Sequence, residues 1–192
     1  MQEIAIVTMN NLSPHARRQL GRYRYTVFVE HMKWDLPTAG NPAAEEWDEF
    51  DRHDTTHVIG YTETGRICAY VRLLPTTGPY LLADVFPGLV STPLTGDPRV
   101  WEMSRFTTFH DDMAIDRQRM RQLLQIVFQY SICLGIQRLI GVAPVSMVRI
   151  YRRLGLVLRA MGPVDPARRD SVAAFSLGVD RAGLKLLSDL SA

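Results

Sequence analysis

Three arginines, three carboxylates and two aromatic rings stand in an order that fits one small ligand: Arg24, Arg72 and Arg105; Glu46, Asp48 and Asp51; Phe28 and Trp34. Carboxylates beside tryptophan attract a sulfonium or ammonium cation, because ring faces carry negative potential. Arginine forks match a carboxylate. A molecule that carries a cation, an amine and a carboxylate together would use all of these types. Glu102 and Ser104 lie beside Arg105, and Glu102 is a candidate general base. His53 and His57 invite a metal reading, but they precede a β-branched run. Extended residues four apart are roughly 13 Å from each other at ~3.3 Å per residue, too far for one ion, so no metal is expected. Motifs for nucleotide hydrolysis (G-x-x-x-x-G-K), dinucleotide redox (G-x-G-x-x-G) and serine hydrolysis (G-x-S-x-G) do not occur.

The elements that must hold these residues can be read along the chain. Ile4–Thr8 is a β-type run, and Ser13 with Pro14 caps and opens a helix whose apolar face is Leu20, Tyr23, Val27 and Phe28. Periodicity is lost from Lys33 to Asp54, a functional loop that carries Trp34, Trp47 and the carboxylates. Thr56–Tyr61 and Ile67–Leu74 read as a hairpin that ends near Arg72. Leu81–Phe86 is a short apolar stretch, and Val100–Phe106 is a strand. Strict alternation along that strand puts Glu102 and Ser104 on one face and Arg105 on the other, so all three reach one ligand only if the strand bulges or splays. Ile115–Leu134 and Ser146–Leu154 are amphipathic helices, the second stopped by Gly155. Arg138–Ala143, Leu156–Met161 and Val172–Leu177 are strands, and Asp180 caps a last helix to Leu190. The expectation is an α/β fold, a three-layer α-β-α sandwich around a twisted mixed sheet, as a single domain over residues 1–192.

Length and composition agree with one soluble core: 192 residues, 46% hydrophobic and 22% charged. The longest apolar stretch, Leu123–Leu139, is interrupted by Gln125, Gln129, Ser131 and Gln137, so no membrane span is expected. The N-terminus has no leader pattern and the two cysteines form no C-x-x-C pair, so the chain reads as cytoplasmic. The net charge of +2 hides an asymmetry. Residues 1–112 carry 10 basic and 15 acidic side chains, whereas 113–192 carry 12 and 5, which implies an anionic partner for the second half more than nucleic acid.

Four ordered segments carry a resemblance across almost the whole chain: Arg22–Trp34, Glu46–Asp51, Val71–Tyr80 and Val100–Phe106. Together they resemble the acyl-homoserine-lactone synthases, the LuxI-type autoinducer synthases of quorum sensing. The family's residue types stand at Arg24, Phe28, Trp34, Glu46, Asp48, Asp51, Arg72, Phe86, Glu102 and Arg105. The resemblance implies a fold like that of GNAT N-acyltransferases. It also implies S-adenosylmethionine as a substrate rather than a bound cofactor, and an acyl donor on acyl carrier protein. Arg24, Phe28, Trp34, Glu46, Asp48, Asp51, Arg72 and Phe86 would bind S-adenosylmethionine, with Glu102, Ser104 and Arg105 at the reacting centre. Asp48 and Asp51 fit either ligand contact or ordering of the loop through arginines.

In the family the helix before Gly155 docks the acidic carrier, which assigns that role to Arg149, Arg152 and Arg153. Asp116–Gln122 holds no glycine, unlike the turn of coenzyme A-binding GNAT enzymes, and this favours the carrier. Arg117, Arg119 and Arg121 on the same helix oppose its dipole and call for Asp111, Asp112 and Asp116 as compensation. Ala143 stands where synthases of 3-oxo products often have threonine, so an unsubstituted acyl chain is expected, lined by Ala143 and Met147. The competing expectation is a GNAT-type N-acyltransferase acting on a different amine.

Overall fold

A computed structural model describes residues 1–38, 40–108, 112–165 and 171–189. Asp111 and Leu190 lie outside these described residues. Seven strands form one mixed sheet: β1 (Glu3–Thr8), β2 (Thr56–Tyr61), β3 (Ile67–Pro75), β4 (Val100–Thr108), β5 (Arg138–Pro144), β6 (Leu158–Asp165) and β7 (Val172–Gly178). Their order is β1-β2-β3-β4-β5-β7-β6, and every neighbouring pair is antiparallel except β4 with β5.

Helices cover both faces. Helix α1 (Pro14–Arg24) and the single turn α2 (Leu81–Asp84) lie on one; α3 (Met113–Cys133), α4 (Val145–Arg153) and α5 (Arg181–Asp189) pack on the other. The three-layer sandwich expected from the sequence is therefore present. Alternation along the strands divides the cores: Val71, Leu73 and Met103 meet α3, whereas Tyr70, Leu74 and Val100 face α1 and α2.

Local chemistry sets the helix ends. Ser13 Oγ accepts from Ala16 N–H at 3.1 Å, and Asp112 accepts from Ala114 and Ile115 N–H at 2.7 and 3.3 Å. Gly135 and Gly155 follow α3 and α4 in left-handed conformation, φ 73° and 77°. In α3, Met120, Leu123, Leu124, Val127, Phe128 and Ser131 are buried along one face.

Two features differ from the sequence expectation. The first helix is not α-helical through Val27 and Phe28: from Tyr25 to His31 it is a π-helix, with Met32 N–H bonding Val27 C=O at 2.9 Å. Such widened turns occur where a side chain must be re-aimed. Residues 81–86 contain the short helix α2, which begins where Glu102 meets two backbone amides. Among the described residues no helix is long and apolar enough to cross a membrane.

Candidate active site

Arg105 has a φ of 54°, in the left-handed region, within β4. Tyr70 pairs with Thr107 and Arg72 with Ser104, which leaves Arg105 and Phe106 together opposite Val71. This is a β-bulge, two residues against one. It reverses the alternation at one position and brings Arg105 to the face of Glu102 and Ser104. Holding an L-residue in this conformation costs on the order of 1 kcal/mol, offset by the bonds the side chain then makes.

Those bonds close a network under α1. Arg105 Nη2 donates to Glu46 Oε1 and Asp48 Oδ2, each at 2.9 Å. Arg24 donates through Nε to Glu46 at 2.5 Å and through Nη1 and Nη2 to the two oxygens of Asp51 at 2.8 and 2.9 Å. Arg72 donates to Asp48 through Nη1 and to Ser104 Oγ through Nε at 2.9 Å, and its Nη1 lies 3.1 Å from Asp51. Three cations face three carboxylates. Because Arg24, Arg72, Glu46 and Asp51 are nearly or wholly buried, removing one partner would strand an opposite charge out of water.

Burial works against the Asp51 carboxylate, yet Arg24 and Arg72 hold it far below the usual carboxylate range. Arg24 and Arg105 likewise overcome burial at Glu46. Glu46, Asp48 and Asp51 turn inward, whereas Asp35 and Glu49 of the same loop are exposed. Asp48 also caps Phe50 N–H and Asp51 accepts Asp48 N–H, so both order the loop through arginines. Arg72 Nη2 has no partner among the described residues.

The aromatic part stands beside this network. The π-helix places Phe28 and Trp34 so that their rings stack at 4.9 Å, and Trp34 N–H bonds Phe28 C=O at 2.9 Å. The Arg105 guanidinium lies 5.5 Å and 5.8 Å from these two ring centroids.

Strands β4 and β5 pair only over Val100–Glu102 and Arg138–Ile140, then diverge. The opening is a cleft of about 400 Å³. One side is Trp34, Ser104 and Arg105; the other is Ala143, Met147, Tyr151 and Phe175. Tyr151 follows Met147 by one turn of α4, a spacing that could have revealed it. Phe175 arrives from β7 and carries no local signal.

Glu102 does not line the cleft. It points from β4 to the start of α2, where its carboxylate accepts Leu81 and Leu82 N–H at 3.0 and 2.6 Å. Burial pushes its pKa up to about 7, against the opposing pull of those amides and Arg72. Phe86, half-buried after α2, packs with the Leu74, Tyr80 and Leu82 cluster and likewise does not line the cleft. Arg149, Arg152 and Arg153 are exposed on α4, opposite its buried Val148 and Tyr151.

Comparison with known proteins places this geometry. Residues 9–187 match the family model described as autoinducer synthase. An acyl-homoserine-lactone synthase of Pseudomonas aeruginosa is 33% identical over 188 residues, covering 97% of this chain and 92% of its own. The crystal structure of TofI in a ternary complex with an inhibitor and MTA superposes with a TM-score of 0.86 at 35% identity, over 97% of both chains. BjaI, a CoA-dependent acyl-homoserine lactone synthase solved with SAM and isopentyl-CoA, gives 0.87 at 26% identity, over 98% of this chain and 88% of its own. A candidate N-acetyltransferase from Lactobacillus plantarum shares the fold alone, with a TM-score of 0.63 at 17% identity, over 92% of this chain and 99% of its own.

Proposed function

The chain belongs to the autoinducer synthase family and is an acyltransferase of quorum sensing, and we propose that its substrates are S-adenosylmethionine and an acyl group on acyl carrier protein. The observation that carries this reading is the single cleft between β4 and β5. Trp34 and Arg105 stand on one wall, backed by Phe28 and by the ion-paired carboxylates Glu46 and Asp48, and an apolar lining stands on the other. The sulfonium lies against Trp34, whose ring is backed by the buried Phe28, the acyl chain passes Ala143 and Met147, and the α-amine meets the thioester between them.

The reaction proceeds in two steps. The amine nitrogen attacks the thioester carbonyl, an amide forms, and the carrier thiol leaves. The carboxylate oxygen then attacks the γ-carbon. The carbon–sulfur bond breaks with its electrons going to sulfur, and methylthioadenosine leaves as the lactone closes. The amine must lose a proton before the first step. Glu102 stands outside the cleft lining with its carboxylate on the Leu81 and Leu82 amides, so it takes this proton through a relay of water rather than directly, with a pKa near neutrality suited to that exchange. Ser104 and Arg105 position the reacting groups, and backbone N–H groups where β4 leaves β5 supply donors for the developing oxyanion.

Carrier rather than free coenzyme A is supported by the glycine-free stretch Asp116–Gln122, and the exposed arginines of α4 would form the docking patch for the acidic carrier. The product is an N-acyl-homoserine lactone with an unsubstituted chain. Incubation with S-adenosylmethionine and acyl carrier thioester tests the reading. Equimolar methylthioadenosine and free thiol are expected. Release of thiol without methylthioadenosine would instead favour an N-acyltransferase acting on a different amine.

A further inference from the structure

His57 belongs to the histidine pair that the sequence sets aside as a metal site, and it has no place in the chemistry above. It is wholly buried on β2, directly across from Arg72 on β3. Its Nδ1 lies 2.8 Å from the hydroxyl of Tyr70, also wholly buried, and the two rings stack at 5.9 Å. On its other side the Tyr70 hydroxyl accepts from Arg24 Nη1 at 3.5 Å, and the Arg24 guanidinium lies over the Tyr70 ring at 5.7 Å.

The direction of these bonds follows from the partners. Arginine only donates, so the Tyr70 oxygen is an acceptor there, and among its described neighbours Nδ1 is the remaining acceptor for the tyrosine hydrogen. Tyr70 O–H therefore donates to His57 Nδ1, and the imidazole proton sits on Nε2. That nitrogen has no hydrogen-bond partner among the described residues, and the Trp47 ring stands perpendicular at 6.4 Å. Burial first, then Arg24, Arg72 and Arg17, hold the imidazole neutral against the pull of Asp51. The chain Arg24–Tyr70–His57 thus presents a fixed lone pair to an arginine that also grips Glu46 and Asp51.

We propose that Tyr70 and His57 are positioning residues for S-adenosylmethionine: His57 fixes the Tyr70 hydroxyl, Tyr70 fixes Arg24, and Arg24 holds Glu46, which in turn fixes Arg105 in the wall of the cleft. The proposal rests on the substrate assignment above and extends it to two side chains outside the cleft lining. Neither touches the ligand.

A double-mutant cycle on the full chain tests it, with methylthioadenosine release as the assay and unfolding midpoints measured in parallel. Methylthioadenosine release by the unmutated chain is the control; its failure would sink the substrate assignment and not this relay. Tyr70→Phe and His57→Leu should each raise KM for S-adenosylmethionine about five- to tenfold, the size of one ordinary lost hydrogen bond. KM for the acyl carrier should stay within twofold. His57→Asn, whose amide oxygen can replace Nδ1 as acceptor, should recover most of the loss. In the Tyr70→Phe background, His57→Leu should add nothing further. Equal penalties for His57→Leu in both backgrounds would overturn the proposal. So would a rise in both KM values together, or lowered unfolding midpoints with KM unchanged. Should His57→Leu fail to fold, Tyr70→Phe with His57→Asn decides between the same outcomes through the same two KM values.

Discussion

Arg105 and Glu46, 59 residues apart in sequence, meet at 2.9 Å because Arg105 adopts the left-handed conformation. With ordinary strand geometry the guanidinium would enter the α3 side of the sheet, and Glu46 and Asp48 would each lose a cation. The bulge begins three residues past the last β4–β5 pair, Glu102 with Ile140, in the stretch of β4 that borders the cleft. One backbone irregularity thus serves both the ion-pair wall and the space beside it.

Glu102 carries a pH signature. Its pKa of about 7 in the folded chain lies above the ordinary 4.5, so the folded state keeps a proton that the unfolded state has lost between those values. The stability this group contributes is full below pH 4.5 and declines as pH rises toward 7. Glu102→Gln removes that decline, and its stability relative to the parent should improve by up to about 3 kcal/mol across the window. Turnover should fall about 10²–10³-fold, and the acidic limb near pH 7 should vanish. Denaturant titrations and rate profiles at several pH values check both; a fully active variant would contradict the assigned base.

Asp51→Asn should destabilise the fold by about 3–5 kcal/mol, because Arg24 and Arg72 would remain buried with one carboxylate fewer. In the Glu102→Gln chain, where the opposing gain from Glu102 protonation is removed, stability should fall on acidification from a higher pH than the ion-paired carboxylates alone explain. His57 is held down to about 3 from 6.5, so the unfolded state gains a proton first. Its contribution is complete above pH 6.5 and is lost as pH falls, by about 2 kcal/mol at pH 5. The depressed Glu46 and Asp51 add their loss below that. Urea midpoints from pH 8 to 4 read the sequence of events.

Ala143 is buried in the acyl side of the cleft. Ala143→Thr adds a hydroxyl donor there and should shift the product ratio toward 3-oxo-acyl lactones by about five- to tenfold, read by mass spectrometry of a mixed-donor reaction. An unchanged ratio would remove Ala143 from the specificity account.

Arg149→Glu combined with Arg153→Glu should raise KM for the acyl carrier about tenfold and leave KM for S-adenosylmethionine unchanged, with the penalty shrinking as salt is added. Equal effects on both substrates would contradict a docking role.

The parts legible in the sequence were those with local causes. Caps at Ser13 and Asp180, the turn at Gly155 and the apolar faces of α3 and α4 follow from periodicity and backbone preference. The bulge was legible too, since Glu102, Ser104 and Arg105 cannot share a face in a regular strand. Long-range matters were not. That the carboxylates of Asp48 and Asp51 answer Arg24, Arg72 and Arg105 depends on how α1, β3 and β4 converge. The π-helix has no marker in Tyr25–His31, and Phe175 enters the cleft only through the antiparallel pairing of β7 with β5.

The central claim is that one opening holds both substrates side by side, and a structure of the chain with S-adenosylmethionine and an unreactive acyl-pantetheine thioether measures it most directly. The sulfonium is expected within about 6 Å of the Phe28 or Trp34 ring, the amine directed at the carbonyl carbon, and the acyl chain running past Ala143 and Met147 toward Tyr151. Density for either compound outside the space between β4 and β5, or for both competing for the same side of it, would contradict the account.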